Sequence, residues 1–130
     1  MSELMLALGG YRFSMAEAAY QSLRRSDAWR WATQERIGRE PALQFVGAGK
    51  AEVEIEGVIY PHHRGGLGQI DRMRAEAGKG VPLRLNDGYG HIWGRWVIER
   101  LEETQSKPLA NGAPRKVEFR LSLGKYGDDA

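Results

Sequence analysis

Apolar and polar residues alternate over most of this chain, and in only one stretch do they recur at helical spacing. In AEVEIEGVIY, Val53, Ile55 and Ile59 point one way and Glu52, Glu54 and Glu56 the other. Such alternation marks a half-buried antiparallel strand with an acidic face toward solvent or a partner. Gly57, on the apolar side, marks a bulge or the close approach of another backbone. A second strand alternates as cleanly, with Val117, Phe119, Leu121 and Leu123 set against Glu118, Arg120 and Ser122. Between the two, Leu67, Ile70, Met73, Arg74 and Ala77 follow the three-and-four spacing of an amphipathic helix. Gly65 and Gly66 fence its start. Gly78 and Gly80 stop it, with Lys79 suited to its negative end.

The remaining segments read as further strands. Met5–Phe13 is broken at Gly9–Gly10 by a bulge or bend. Ser14 to Leu23 is ambiguous: Ser14 with Glu17 matches a capping box and MAEAA favours a helical turn, yet Tyr20–Leu23 can equally run extended. From Ala28, WRWATQER places Trp29, Trp31 and Thr33 on one strand face and Arg30, Ala32 and Gln34 on the other. PALQFVG is a short strand ended by Gly47, linked by AGK to the acidic strand. PLRL is another, followed by NDGYG, a hairpin turn whose Asp87–Gly88 accommodates positive φ. HIWGRWVIERLEE is a long strand with a bend or bulge at Gly94. Its two faces are Trp93, Arg95, Val97, Glu99 and Leu101 against Ile92, Trp96, Ile98 and Arg100. SKPLANGAP is a polar loop, and the KYGDDA tail is frayed or ordered only by a partner. Five to seven mostly antiparallel strands and one main helix predict an α+β chain: a β-sandwich or partly open barrel flanked by that helix.

Length and composition refine this picture. The chain has 130 residues, enough for one real core but not two of ordinary size. With 42% apolar and 28% charged residues it has the make-up of a folded domain. It contains no cysteine, which removes disulfides, zinc–thiolate sites and thiol nucleophiles. The run Leu4–Leu8 is too short, and lacks the basic start, for a signal peptide. No segment approaches the roughly 18 apolar residues of a membrane span, so folding in the cytoplasm is expected. Nineteen basic residues face seventeen acidic ones, interspersed along the strands. Such mixing suits a solvated surface or complementary subunit contacts more than nucleic acid.

The search for chemistry returns little. His62 and His63 are adjacent, but neighbours on an extended chain point to opposite faces, and no third ligand is nearby. His91 has no nominated partner. Glu52, Glu54 and Glu56 share a face, whereas a hydrolytic carboxylate pair comes from different elements at a set separation. GGLG before a helix lacks the Gly-Lys-Ser/Thr ending of a phosphate-binding loop. Trp29 and Trp31 with Arg24, Arg25 and Arg30 invite a nucleic-acid reading. Strand tryptophans and arginines are also favoured in protein interfaces, and Asp27 and Glu35 dilute the positive charge. No catalytic, cofactor or metal residue is nominated.

The succession LMLALGGYRF, AYQSLRRSDAWRWA, GREPALQFVGAG, GVIYPHHRGGLGQID, AGKGVPLRL, DGYGHIWGRWVIERLEETQS and GAPRKVEFRLSLGKYG spans nearly the whole chain. In order and spacing it resembles the GpU-like tail proteins of contractile-tailed temperate phages and of R-type bacteriocin (tailocin) particles. The resemblance implies a single tail structural domain over residues 1–130 and no enzymatic activity; from the residues themselves, 124–130 are expected to form a flexible tail. It implies a hexameric ring coaxial with the tail tube, joining the tube to the baseplate hub. The partners would be other copies, the tube protein and hub proteins, with no cofactor, no specific nucleic acid and no membrane. The location would be the bacterial cytoplasm during assembly and then the particle. Candidate subunit or partner contacts are Trp29, Trp31, Glu52, Glu54, Glu56, Trp93, Arg95, Trp96 and Arg120. Strand edges along Trp93–Leu101 and Val117–Leu123 are candidates for pairing between neighbours. The alternatives are a terminator at the head-proximal end of the tail and, of another class, a small β-barrel nucleic-acid-binding module.

Overall fold

The computed structural model describes residues 4–14, 20–60, 68–106 and 116–127. Seven strands and one helix follow in the order β1 (Leu4–Leu8), β2 (Tyr11–Ser14), β3 (Tyr20–Gln34), β4 (Ala42–Ile59), α1 (Gly68–Gly78), β5 (Leu83–Asp87), β6 (Ile92–Ser106) and β7 (Lys116–Lys125). The strands form one open antiparallel sheet in the order β2-β1-β5-β6-β7-β4-β3. The α+β class, the antiparallel sheet and the single helix expected from periodicity are all present among these residues. No helix among them is long and apolar enough to cross a membrane.

Alternation decides the core. Val53 pairs with Leu123, Ile55 with Leu121 and Ile59 with Val117. Opposed residues share a face, and all six are buried there with Phe119. Trp96 on β6 is wholly buried against them, and Leu6, Leu8, Phe13 and Leu85 close the cluster from β1, β2 and β5. Ile70 and Met73 turn the apolar stripe of α1 onto β6 and β2. Each such side chain contributes about 1.5–3 kcal/mol by leaving water. The C-terminal turn of α1 is fastened by Glu76. Its carboxylate receives the Gly10 N–H at 3.4 Å and pairs with Lys79 at 2.9 Å. A Cβ on Gly10 would come within 2.8 Å of that carboxylate and would push the Glu76 side chain aside.

Four local readings change. Gly9–Gly10 is the two-residue turn of a hairpin, Leu8 pairing with Tyr11, because Gly9 adopts φ 59°. The segment from Ala42 to Ile59 is one strand without a break at AGK, since β3 pairs along its whole length. In the β5–β6 turn the positive φ falls on Gly90 and not Gly88; Asp87 Oδ1 accepts from the N–H groups of Tyr89 and His91 and shapes the turn instead. The faces of β6 are also reassigned. Gly94 at φ 98° sits beside an extra residue at Trp93, and a second irregularity adds Glu99. Trp93, Trp96, Ile98 and Leu101 therefore all pack toward the core, where simple alternation would divide them. Gly57 lies at a register shift opposite β3, Tyr20 pairing with Gly57 and Ser22 with Glu56. Ser14 ends β2, whereas the rest of the capping box to Glu17, His62–His63 and residues 65–67 of GGLG fall outside the described residues.

Candidate assembly interface

The ladder between β7 and β4 ends at Glu52. Beyond it β3 and β4 continue alone as a two-stranded ribbon, formed by residues 27–34 and 42–51. At about 3.3 Å per residue, the eight residues that β3 contributes give this arm a length of roughly 26 Å. Its two irregularities, between Asp27 and Trp29 and between Arg30 and Trp31, both add their extra residue on β4. Strand β3 thus keeps its alternation from the body into the arm. Leu23 and Arg25 oppose the buried Ile55 and Val53, so Trp29, Trp31 and Thr33 continue the face that covers the core. Phe45 and Leu43 join them from β4 as the partners of Trp31 and Thr33, with the Trp31 and Phe45 rings edge to face at 5.0 Å. Here nothing covers that face: Trp29 is 62% exposed, Trp31 57%, Leu43 66% and Phe45 52%. Gly49 lets the ribbon close, since a Cβ there would stand 3.0 Å from the Ala28 carbonyl oxygen.

At the base of the arm, Arg25 is held by Asp27 at 3.0 Å, and its guanidinium lies 5.4 Å from the ring centroids of both Trp93 and Trp96. Lys125 also lies over Trp96, at 5.1 Å, and donates to the Trp93 carbonyl. Trp96 thus acts from inside the core, and Trp93 is half-buried beside it. Arg95 points out of the sheet and lies over Tyr126 at 5.6 Å.

The opposite sheet face is charged. Glu56 pairs with Arg120 at 2.6 Å and Glu52 with Lys50 at 2.8 Å, while Glu54 is registered against Arg24. The hydrogen bond to Glu52 raises the Lys50 pKa. Arg120 sits between Glu56 and Glu102 in the ladder, beside an open trough of about 330 Å³ that Glu118, Thr104 and Gln21 also line. Exposed pairs of this kind contribute little to stability and more to the register of a contact. Across the sheet, Glu103 binds Gln105 and Arg74; the Gln105 amide lowers its pKa against the upward push of burial, with Arg74 assisting. Among the described residues no group of three His, Cys, Asp or Glu is placed to hold a metal ion.

The sequence-nominated residues therefore separate into four places. Trp29 and Trp31 lie on the arm, Trp93 and Trp96 beneath its base, and Glu52, Glu54, Glu56 and Arg120 on the charged face, with Arg95 near Tyr126. The aromatic–basic constellation dissolves: Arg30 lies on the ribbon face opposite Trp29 and Trp31, and Arg25 is engaged with Asp27. Strand β7 has neighbours on both sides, β6 and β4, so Val117–Leu123 offers no free edge. The sheet ends at β2 and β3, and the Val97–Ser106 part of β6 is laddered to β7 only. Sequence reasoning missed Leu43 and Phe45, and it read Arg25 only within the nucleic-acid constellation. The signal for the first two was WxWxT followed by LxF across the turn ERIGREP, which pairs as a hairpin.

A family model described as Phage P2 GpU matches residues 9–128. A probable tape measure protein of Halomonas phage phiHAP-1 is 30% identical over 127 residues, a match that takes in 96% of this chain and 14% of that protein. The chain thus spans about a seventh of that curated relative. Among solved structures, the SPP1 Dit protein, described as a paradigm of the hub adsorption apparatus in phages infecting Gram-positive hosts, superposes with a TM-score of 0.67 at 9% identity. That match covers 94% of this chain and 49% of Dit. A chain of the native gene transfer agent virion gives 0.62 at 16% identity, covering 97% of this chain and 92% of that one. A chain of the empty gene transfer agent tail, refined with C6 symmetry, gives 0.57 at 16% identity over 96% and 92%. At these identities the likenesses concern the fold.

Proposed function

Given that this chain belongs to the phage P2 GpU family, we propose that it is a structural ring of a phage tail or tailocin, coaxial with the tube and joining it to the baseplate hub. The observation that carries this reading is the arm. A two-stranded ribbon is marginal in water by itself, and this one exposes four large apolar side chains along one face. A second protein surface completes it. In a closed ring each copy gives its arm to a neighbour and receives one, so order follows from geometry, with no catalytic step. The gene transfer agent tail with C6 symmetry supports six copies. The match within a probable tape measure protein supports a place beside other tail parts. The charged face, with Glu52, Glu54, Glu56 and Arg120, would set register against the tube or hub.

The test is the position of the chain in purified particles by electron microscopy, combined with gene deletion. A ring at the baseplate end and loss of tubes or baseplates on deletion are expected. Overlong tubes on deletion, with the ring at the head-proximal end, would make it a terminator instead.

A further inference from the structure

Among the described residues, the exposed large apolar side chains fall mainly into two groups. One is the arm. The other lies where β5 turns into β6 and β7 ends: Tyr89 is 99% exposed, Ile92 51% and Tyr126 41%. Tyr126 donates its N–H to the Arg95 carbonyl oxygen at 3.0 Å, which places it beside the start of β6, and Arg95 lies over its ring. Asp87 fixes the turn between them through Tyr89 and His91. Of the other exposed large apolar side chains among the described residues, Ile37 and Val46 belong to the arm, and only Tyr60 and Val81 stand elsewhere.

The two groups differ in shape. The first is an extended aromatic ribbon, the second a compact turn held on the body. They sit at the same end of the sheet, since β4 begins, β6 begins and β7 ends there. We propose that the apolar face of the arm lies on the Tyr89–Ile92–Tyr126 patch of the next copy. This proposal rests on the ring reading above and names its contact. Two arms meeting face to face would use the same patch twice and close as a dimer, whereas a ring needs two unlike patches on each chain. Area sets the scale of the contact. Aromatic side chains bury about 150–250 Å² each, so the uncovered parts of Trp29, Trp31, Leu43 and Phe45 offer on the order of 500 Å². A stable interface takes roughly 800 Å² per partner, and the polar margins of arm and turn would supply the remainder.

The absence of cysteine makes a direct test simple. Tail particles are prepared with Phe45→Cys and Ile92→Cys in the same chain, assembled under reducing conditions, then oxidised and run on a denaturing gel without reductant. The expected result is a ladder of covalent oligomers reaching the ring order, with each single variant remaining monomeric. Covalent dimers from Phe45→Cys alone would overturn the contact in favour of paired arms. A ring visible by microscopy without a ladder would overturn this contact and leave the ring reading standing. A chain that forms no ring in the particle overturns both. As an independent readout, Tyr89→Arg, at a side chain fully in solvent, should weaken self-association at least tenfold by sedimentation while the melting temperature stays unchanged. Unaltered association would overturn the proposal.

Discussion

Strand β4 passes through two environments. Over Val53–Ile59 its apolar side chains are buried between β7 and β3; over Leu43–Val46 they are equally apolar and stand in water. The number of neighbouring strands makes the difference. Where β4 has β7 on one side and β3 on the other, the sheet curls over its own residues and a core forms. Where it has β3 alone, the face that would be interior is left bare. Apolar alternation thus tells that a face is covered, without telling by which molecule.

The sharpest way to break this comparison is to truncate one tryptophan in each region. Trp96→Ala should cost about 3–5 kcal/mol in denaturant unfolding of the isolated chain, the usual loss for a buried aromatic. Trp31→Ala should stay within about 0.5 kcal/mol on the same measurement, as solvent-facing changes do, and should show its effect on assembly. Equal losses would mean that the arm is packed in the isolated chain. Gly94→Ala is next. It forces φ 98° on a side chain and crowds Lys125, a strain of about 1–3 kcal/mol that equilibrium unfolding would register. Arg25→Gln tests the junction between the regions. Losing the cation over Trp93 and Trp96 should cost about 0.5–1 kcal/mol, with faster amide exchange at Asp27–Trp29 than in β7.

The smallest effect is a pH dependence in the β5–β6 turn. Burial pushes the Asp87 carboxyl up, but the His91 and Tyr89 N–H groups outweigh it and leave its pKa below the ordinary value. A carboxylate lowered on folding stabilises above its unfolded pKa and loses that contribution as pH falls through the folded one. Protection of the Tyr89 and His91 amides should therefore fade on acidification from the unfolded value of about 3.9 downward. In Asp87→Asn it should be weaker and flat with pH. A pH response in the variant as large as in the wild type would assign it to another group.

Strand existence and the helix were legible because Val53–Ile59 and Val117–Leu123 alternate strictly and Ile70 and Met73 repeat at helical spacing. The faces of β6 were not, because inserted residues at Trp93 and Glu99 change the parity on which any period-two reading depends. Trp29 and Trp31 could be picked out as contact candidates. Their ribbon partners were passed over, since Leu43 and Phe45 gain meaning only once WxWxT and LxF are read as one hairpin across residues 35–41. The burial of Trp96 depends on a core gathered from β1, β2, β4, β5 and β7, which no local pattern displays.

That same connectivity carries a consequence for synthesis. Strands β3 and β4 are joined by the short connection 35–41 and can zip together as soon as Ile59 leaves the ribosome. The partner that covers Val53, Ile55 and Ile59 is β7, made only after α1, β5 and β6. Throughout that interval the nascent hairpin carries an uncovered apolar face from end to end, on the body side as well as on the arm. Chains growing side by side on one message would be exposed to premature pairing with each other. Arg24, Lys50, Glu52, Glu54 and Glu56, all on or beside this hairpin, would then serve as gatekeepers of the unfinished protein before they serve the finished one.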